Sequence, residues 1–246
     1  MEYGCKYDLT NFVYPGLHAQ NATPPPEYFL NHIILAAQNW DVDSVNSDVL
    51  KRMSSMERIY YSADTIVFEP GADPNKNEDP FPVEFLHTLR ASGLPLGKLH
   101  PKPGCPLILL QNVSPSQGLC NGTQLILWWM SDRVLECTIL SGDHDGDHVF
   151  IPCISLTPSG NITDFLFTMS CQQFPVNLAF AISINKSQGQ SVKHVGVHLS
   201  TAVFSHGQLY VALSQVTSAE NIKLLLAEDS VVAETTNIVY PEVLVD

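Results

Sequence analysis

Residues 173–191, QFPVNLAFAISINKSQGQS, decide the fold, because a helix-like pattern meets the start of a strand there. Pro175 opens the segment, and the small apolar residues of 178–185 predict a helix. Lys186 and its neighbours then place polar donors beside a flexible glycine, Gly189. Such donors can hold a phosphodiester, since a glycine allows close approach. An ordinary helix end with Gly189 in the left-handed conformation explains the same pattern, and spacing alone favours it.

Strands and helices alternate on both sides of this stretch. Downstream, the pattern predicts a strand at 194–199, a helix at 207–216 and a buried strand at 222–226. Upstream, it predicts a strand at 33–36 and a helix capped by Asn39. The expected buried positions are Val42, Val45, Val49, Leu50 and Met53 in the first helix, and Leu209, Ala212, Leu213 and Val216 in the second. We therefore expect one α/β layer, a parallel sheet with crossover helices, built from both chain ends.

The middle of the chain has a different composition. Residues 70–103 are rich in Pro, Gly, Asn and Asp, which predicts an irregular connector with one short helix at 83–89. Beyond it, short β-type runs are divided by turn residues. These runs are 107–110, 124–130, 134–140, 148–154 and 165–169. Their number and spacing predict a small closed or half-closed β-barrel, inserted into the α/β layer.

The charge balance excludes one class of nucleic-acid binder. The 246 residues include 12 Lys and Arg against 25 Asp and Glu, a formal net charge of −13. So acidic a chain repels polyanions, which excludes a strongly basic clamp and leaves weak or locally organised phosphate contacts. The sequence also has no Gly-x-x-x-x-Gly-Lys-Ser/Thr loop, since the nearest approach, residues 93–98, is one residue short and Leu99 follows it. A self-sufficient nucleotide hydrolase is therefore excluded.

Other features favour a soluble, intracellular protein without a metal. No apolar run is long enough for a signal peptide or a membrane span, and the scattered cysteines are expected to be reduced, partly buried thiols. The Asp and His cluster at 143–148 lacks calcium-loop and zinc-site spacing, so we expect a solvated hairpin turn. Trp128, Trp129 and Phe150 would be stacking platforms for bases if exposed, but strand alternation predicts that the barrel buries them.

An ordered set of segments covers residues 8 to 228. The string LAFAISINKSQGQS is followed by VGVHL and by FSHGQLYVALSQVTSAENIKLLL. The pieces FVYP, PPPEYFLNHIILAAQNWDVDSVN, YYSAD and EFLHTLRASGLPLGKLHPKPGCPLILLQNVSPSQGLCNGTQLI precede them in order. This set closely resembles the C-terminal half of the petite-integration-frequency (PIF) helicases, which are ATP-dependent DNA helicases, and especially the helicase portion of Helitron transposons.

The resemblance implies an architecture. In that family the α/β layer is the second RecA-like domain, and the inserted module is a small SH3-like barrel beside the DNA path. The segments expected on this basis are 1–29 as an N-terminal extension, 30–69 as the first part of the RecA-like domain, 70–103 as a connector, 104–172 as the barrel, 173–228 as the second part of the RecA-like domain with helicase motifs five and six, and 229–246 as a tail.

The resemblance also implies roles for individual residues. The DNA-facing part of the fifth motif, with a neighbouring histidine, corresponds to Ser183, Asn185, Lys186, Ser187 and His206. The nucleotide cleft side corresponds to Gln188, Gly189, Tyr210, Ser214 and Gln215. Gln215 stands where the family has an arginine finger. Loss of such a finger typically lowers turnover by about 10³- to 10⁵-fold, so no catalytic residue is expected to be intact.

The cofactors and partners implied are those of a helicase. ATP and Mg serve the family, but this chain alone is expected to bind neither, because the P-loop belongs to the family's first RecA-like domain. The implied partners are single-stranded or duplex DNA, bound weakly, and an N-terminal helicase half. No membrane is implied, and the location of a functional member is the nucleus.

Three interpretations stay open on the sequence. The first is a helicase half that is inactive alone, and the second is a non-enzymatic module that binds single-stranded DNA or a protein. The third, based on Asn-x-Ser/Thr sequons and the Asp and His cluster, is a secreted glycoprotein or metal protein. Several positions that are usually basic in the family are Gln, Cys or Asn, among them Gln111, Gln124 and Cys153. Single transitions in CG-type arginine codons produce Gln and Cys codons, so we hypothesise a decayed transposon copy.

Overall fold

The structure is a computed structural model that describes residues 5–17, 24–67, 82–87, 93–157, 168–189, 192–227 and 234–243. The helices are α1 (Lys6–Val13), α2 (Pro26–Asn31), α3 (Asn39–Leu50), α4 (Val83–Leu86) and α5 (Gln208–Ser214). The strands are β1 (His32–Ala36), β2 (Tyr60–Tyr61), β3 (Ala63–Val67), β4 (Lys98–Leu99), β5 (Pro106–Leu109), β6 (Gln124–Met130), β7 (Val134–Ile139), β8 (His148–Pro152), β9 (Ile154–Leu156), β10 (Thr168–Gln173), β11 (Val176–Leu178), β12 (Ala181–Ser183), β13 (His194–Leu199) and β14 (Ile222–Leu226). Short 3₁₀ turns are Pro115–Gln117, Ile184–Ser187, Ala219–Asn221 and Pro241–Val243.

Strands from both ends of the chain form one parallel sheet, as the sequence predicts. The strand order is β12-β1-β13-β14, and all three pairings are parallel. Strand β1 is central, since Leu35 pairs with Ile182 of β12 and with Val197 of β13. Strand β14 lies at the edge of the sheet and is only partly buried, whereas the pattern predicts a buried strand. This sheet belongs to a unit made of Met1–Ser54 and Leu178–Asp246.

Both faces of the parallel sheet are covered. Neighbouring residues on β1 and β13 point to opposite faces, yet Ile34, Leu35, Val195 and Val197 are all fully buried. Helix α1 lies so close to β13 that a Cβ atom on Gly196 would stand 2.8 Å from a methyl carbon of Val13. Only glycine allows this approach. The region predicted as an N-terminal extension therefore contributes a core helix.

Two basic side chains connect α1 to the region of α3. Lys6 Nζ lies 2.6 Å from Asp48 Oδ2. Arg52, just after α3, donates a hydrogen bond of 2.8 Å to Asn11 Oδ1. Because each bond joins residues far apart in sequence, the two contacts fix α1 against α3 rather than stabilising either helix internally.

Residues Ser55–Asn177 form a second unit, and its described residues build three sheets. The largest has the order β11-β5-β6-β7-β8, and its β5–β6, β6–β7 and β7–β8 pairings are antiparallel. Its inward residues Leu125, Leu135 and Cys137 are fully buried. The other sheets are β3-β10-β9 and β2-β4. The first four predicted β-type runs match strands β5 to β8, although the run at 148–154 is divided between β8 and β9.

The two units differ from the predicted segments in their bounds. Residues 55–67 lie in the second unit, whereas the resemblance assigns 30–69 to the α/β layer. The physical reason is that β3 pairs with β10, which the pattern predicts as the fifth strand of the barrel. Strand β10 also pairs with β9 and not with the five-stranded sheet. Residues 165–167 of that predicted strand lie outside the described residues.

The predicted helix at 178–185 is wrong. The segment holds the end of β11, the strand β12 and the start of the 3₁₀ turn Ile184–Ser187. A short run of small and apolar residues fits a buried strand as well as a helix, so periodicity cannot decide between them. Pairing with β1 decides it, because Ala181 and Ile182 continue the sheet beside Ile34 and Leu35.

Smaller differences concern the helices. Helix α5 buries Leu209 and Ala212 as predicted, but Leu213 is 41% exposed. Helix α3 begins at Asn39, so Gln38 and not Asn39 occupies the N-cap position, without a side-chain capping bond. Helix α4 is four residues long, and residues 88–89 of the predicted helix are not among those described. Within the described residues, no helix combines the length and apolarity needed to cross a bilayer.

The expected burial of three aromatic side chains is also wrong. Trp128, Trp129 and Phe150 are 40%, 54% and 62% exposed. The pairing of β6 with β7 shifts register between Leu127 and Trp129, which is the signature of a β-bulge. A bulge interrupts the alternation of faces, so two consecutive tryptophans can both reach solvent. The Asp and His cluster at 143–148 is predicted to be a solvated hairpin turn. Residues 143–147 do form an exposed turn between β7 and β8.

Candidate functional site

The segment after β12 emerges at the carboxyl edge of the parallel sheet. Ser183 ends β12 and pairs with Ala36, the last residue of β1. The chain then forms the 3₁₀ turn Ile184–Ser187 and reaches Gln188 and Gly189, both exposed. Gly189 has a φ of +83°, a left-handed conformation that favours glycine. Ligands of open α/β sheets bind at this edge, so the predicted site residues stand where such a fold binds ligands.

A buried asparagine fixes the start of β12. Asn46, on the inner side of α3, donates hydrogen bonds of 3.0 Å to the Leu178 carbonyl and 3.1 Å to the Ala181 carbonyl. Its Oδ1 atom accepts a bond of 2.8 Å from the Ala181 amide. These contacts use both sides of the Asn46 amide group, so α3 determines where β12 begins and where the segment after it emerges. Sequence reasoning missed Asn46, which appears as one polar residue on an apolar helix side.

The residues predicted to face DNA differ in accessibility. Asn185 and Lys186 are exposed and Ser183 is half-buried. Desolvation lowers the pKa of Lys186, and the carboxylate of Asp43 partly offsets that effect. Ser187 is fully buried, and its hydroxyl donates a bond of 2.7 Å to the Ile184 carbonyl. The prediction of a DNA contact by the Ser187 side chain therefore does not fit the structure.

Gln208 connects this segment to α5. It is buried, its Nε2 atom lies 3.4 Å from Asn185 Oδ1, and its Oε1 atom accepts a bond of 3.1 Å from the Phe204 amide. Sequence reasoning did not single out Gln208. The signal in the sequence was Gly207 directly before it, because a glycine often marks the start of an element. In the structure Gly207 takes the left-handed conformation just before α5. Through this side chain the segment after β12 is held to α5.

The predicted nucleotide-side residues on α5 and beyond do not form a cationic group. Tyr210 is 71% exposed, and the Ser214 hydroxyl donates 2.9 Å back to the Val211 carbonyl. Gln215 is only 4% exposed, and its Nε2 atom donates 2.8 Å to the same carbonyl. Its Oε1 atom is buried and has no hydrogen-bond partner among the residues that the structure describes. Gln215 therefore turns back onto its own helix.

His206, predicted to face DNA, contacts the C-terminal segment. Its Nδ1 atom accepts a bond of 2.9 Å from the Tyr240 amide, and the two rings lie 5.4 Å apart. The Gly207 amide also donates a bond of 2.9 Å to the Ile238 carbonyl. The residues predicted as a tail thus occupy Nδ1 of His206, and Nε2 has no hydrogen-bond partner among the residues with described positions.

A buried polar cluster lies where β1 and β13 end, and sequence reasoning missed it. Ser200 Oγ donates a bond of 3.1 Å to Asp41 Oδ1 and lies 3.3 Å from His198 Nδ1. Asp41 and His198 are 8% and 5% exposed. Burial lowers the pKa of His198, the Asp41 carboxylate raises it, and Lys6 lowers it. Burial is therefore the leading cause of the lowered pKa of His198.

Comparison with known proteins shows which family this chain resembles. The family model described as "DNA helicase Pif1, 2B domain" matches residues 84–128, within the second unit. The chain is 27% identical over 218 residues to the ATP-dependent DNA helicase PIF7 of Trypanosoma brucei brucei, which covers 77% of this chain and 20% of the relative. It is 34% identical over 145 residues to human ATP-dependent DNA helicase PIF1, covering 58% of this chain and 21% of the relative. Together these matches support a fragment of a PIF-family helicase.

Solved PIF structures share its fold. The Bacteroides Pif1 helicase in complex with ADP-AlF3 and ssDNA superposes with a TM-score of 0.59 at 22% identity, covering 98% of this chain and 49% of that one. The Pif1 helicase of Candida albicans gives a TM-score of 0.55 at 24% identity, with coverages of 89% and 49%. The chain thus spans about a fifth of the curated PIF relatives and about half of the solved ones.

Proposed function

We propose that this chain supplies a PIF-type helicase with its second RecA-like domain and its SH3-like module. The observation that carries the proposal is the parallel sheet built from both chain ends, with the segment after β12 held to α5 by Gln208. In this proposal Ser183, Asn185 and Lys186 contact a DNA strand, and His206 contributes through Nε2. The five-stranded sheet β11-β5-β6-β7-β8 forms the SH3-like module.

In this proposal one wall of a nucleotide cleft is formed by Gln188, Gly189, Tyr210, Ser214 and Gln215. The residues present do not fit ATP and Mg without help, because Gln215 brings no positive charge and donates to its own helix. The sequence also has no P-loop. A partner segment or chain with a P-loop would complete the cleft. This role on DNA places the protein inside the cell, in the nucleus for a eukaryotic member.

A hydrolysis assay tests the enzymatic part of the proposal. The purified chain, mixed with Mg-ATP and oligo-dT, is expected to show no DNA-stimulated hydrolysis. Gln215→Arg alone is not expected to restore it, because the variant still lacks the backbone amides and lysine that cradle the phosphates. DNA-stimulated hydrolysis by either sample, at a rate above that of a mock purification, would contradict the proposal.

A binding assay tests the DNA-facing part. Fluorescence anisotropy with labelled oligo-dT at low salt is expected to give a Kd of about 1 μM or weaker, because few Lys and Arg side chains are available to neutralise phosphates. Lys186→Ala should weaken binding by about tenfold if its ammonium contacts a phosphate. Lys193→Ala is the matched control. Lys193 is exposed and directly precedes β13, so it lies at the amino ends of the strands, away from their carboxyl ends. Equal losses in the two variants, or no binding at low salt, would refute this part.

A second candidate function is a binding module without enzymatic activity, derived from a helicase. Two observations favour it, namely the inward turn of Gln215 and the exposure of Trp128, Trp129 and Phe150. The two candidates differ in one measurement. A separately added PIF-type P-loop half would raise ATP hydrolysis on DNA above the rate of that half alone only in the helicase case.

A further inference from the structure

A row of side chains crosses the outer face of the five-stranded sheet in the second unit. Trp129 on β6 pairs with Glu136 on β7, and Glu136 pairs with Phe150 on β8. Cross-strand partners on one face have Cβ atoms about 4.5–5.5 Å apart, so the Glu136 carboxylate stands between two aromatic side chains. The bulge in β6 exposes Trp128 beside this row, where its Nε1 atom donates 2.8 Å to Thr138 Oγ1.

The row combines exposed aromatic surface with a carboxylate, and both can bind a ligand. Trp129 and Phe150 leave more than half of their surface in water, at 54% and 62% exposure. Each aromatic ring can bury about 150–250 Å², so covering the pair would release apolar surface from water. Glu136 is half-buried, and across the described residues its carboxylate makes no hydrogen bond or ion pair. A partly desolvated carboxylate between two aromatic rings is suited to a cation.

The surrounding charge selects a cation over a phosphate. The turn between β7 and β8 carries Asp143, Asp145 and Asp147, all exposed. In the turn between β6 and β7, Arg133 is exposed and Asp132 pairs with Arg58. Asp147 lies 3.0 Å from His144 Nδ1, so among the described residues of the row and the two turns the unpaired carboxylates are Glu136, Asp143 and Asp145, against one unpaired cation, Arg133. This excess of negative charge repels a phosphodiester backbone and attracts a positively charged group.

We propose that the Trp129, Glu136 and Phe150 row binds an arginine side chain of a partner protein. A guanidinium is planar and forms paired hydrogen bonds to a carboxylate while its faces stack on aromatic rings. It would sit on the Glu136 carboxylate, with Trp129 and Phe150 on its two sides. This interaction surface is independent of the edge of the parallel sheet and of the proposed helicase role.

Titration of the whole chain with a capped peptide of alternating Gly and Arg tests the proposal. Indole ¹⁵N labelling gives one signal for each of the three tryptophans, which are Trp40, Trp128 and Trp129. The signals of Trp128 and Trp129 are expected to shift saturably, while that of Trp40 stays in place. A matched peptide with citrulline in place of arginine keeps the shape without the charge, and should bind about tenfold more weakly.

Two variants locate the binding on the row. Glu136→Gln and Phe150→Ala should each weaken the arginine peptide by about tenfold, with unchanged thermal midpoints as the check on folding. Glu220→Gln is the control, because it removes an exposed carboxylate from the other unit and should leave the affinity unchanged. Equal affinity in Glu136→Gln and the parent chain would overturn the proposal. So would shifts of Trp128 and Trp129 with oligo-dT but not with the peptide, which would instead assign the row to nucleic acid.

Discussion

Gln215, predicted to stand at an arginine-finger position, turns back onto its own helix. Its side chain is nearly buried and donates to the Val211 carbonyl, while its Oε1 atom is left without a partner in the described part of the chain. An arginine in this position could not follow the same path, because a guanidinium is larger and charged and its burial without a carboxylate is costly. The arginine side chain of Gln215→Arg would therefore point toward solvent. The substitution thus changes the direction of the side chain as well as its charge.

The second residue of interest, His198, predicts a pH dependence of stability. Its folded-state pKa is lowered, by burial first, with Lys6 adding to the effect and Asp41 opposing it. The unfolded chain binds a proton near the ordinary value of about 6.5, so the stabilisation is present above that pH. It is lost as pH falls through 6.5, the ordinary value, toward the lower folded pKa. Urea unfolding at a series of pH values should show the unfolding free energy falling in this window.

His198→Gln should reduce that fall, since glutamine takes up no proton. It should not abolish the fall, because burial also lowers the pKa of His32 in the same unit. His148→Gln provides the control, as His148 is exposed on β8. A pH profile of His198→Gln that parallels the parent profile would show that His198 does not control this loss.

At the scale of the element, β12 depends on Asn46. Asn46→Ala would leave the Ala181 amide and the Leu178 and Ala181 carbonyls without their partner. Unsatisfied buried groups of this kind should lower the unfolding free energy by about 2–4 kcal/mol. Asn39→Ala on the same helix should cost far less, since Asn39 is exposed. Urea denaturation measures both, and a loss for Asn46→Ala no larger than for Asn39→Ala would contradict the role of this clamp.

The elements that the sequence predicts correctly are those whose pattern matches their surroundings. Strand β1 is apolar after its first residue, and both β1 and β13 are buried at every position but the first, as expected for strands covered on both faces. The predictions fail where a contact with a residue distant in sequence determines the local structure. Residues 178–185 become strand and turn because β1 and Asn46 hold them, and Trp128 and Trp129 reach solvent because β6 has a bulge.

The candidate site was predictable in place but not in detail. The position of Lys186 and Gly189 after a buried segment indicates the edge of the sheet, and the structure places them there. The inward turns of Ser187 and Gln215 depend on local hydrogen bonds that composition does not encode. The cluster of Asp41, His198 and Ser200 joins residues far apart in sequence, so only the parallel pairing reveals it.

At the scale of the whole molecule, the net charge of −13 predicts a shallow salt dependence of DNA binding. Each phosphate contact on a single strand contributes a slope of about 0.7 in log Kd against log salt. With Lys186 as the principal cation of the proposed DNA face, we expect a total slope of about 1. Anisotropy titrations over a range of salt concentrations measure it.

Lys186→Gln should lower this slope by about 0.7, and Lys193→Gln should leave it unchanged. A slope of about 5 would indicate a basic surface elsewhere on the chain and would contradict the assignment.

The parallel sheet has a consequence for synthesis on the ribosome. Strand β1 is synthesised before Ser55–Asn177, yet its neighbours β12 and β13 both follow that unit. Until they emerge, the apolar residues of β1 have no sheet to join, and both edges of the strand lack hydrogen-bond partners. The second unit can fold on the nascent chain during this interval. Chaperones that bind short apolar segments should therefore engage β1 during translation and release it when the last third of the chain appears.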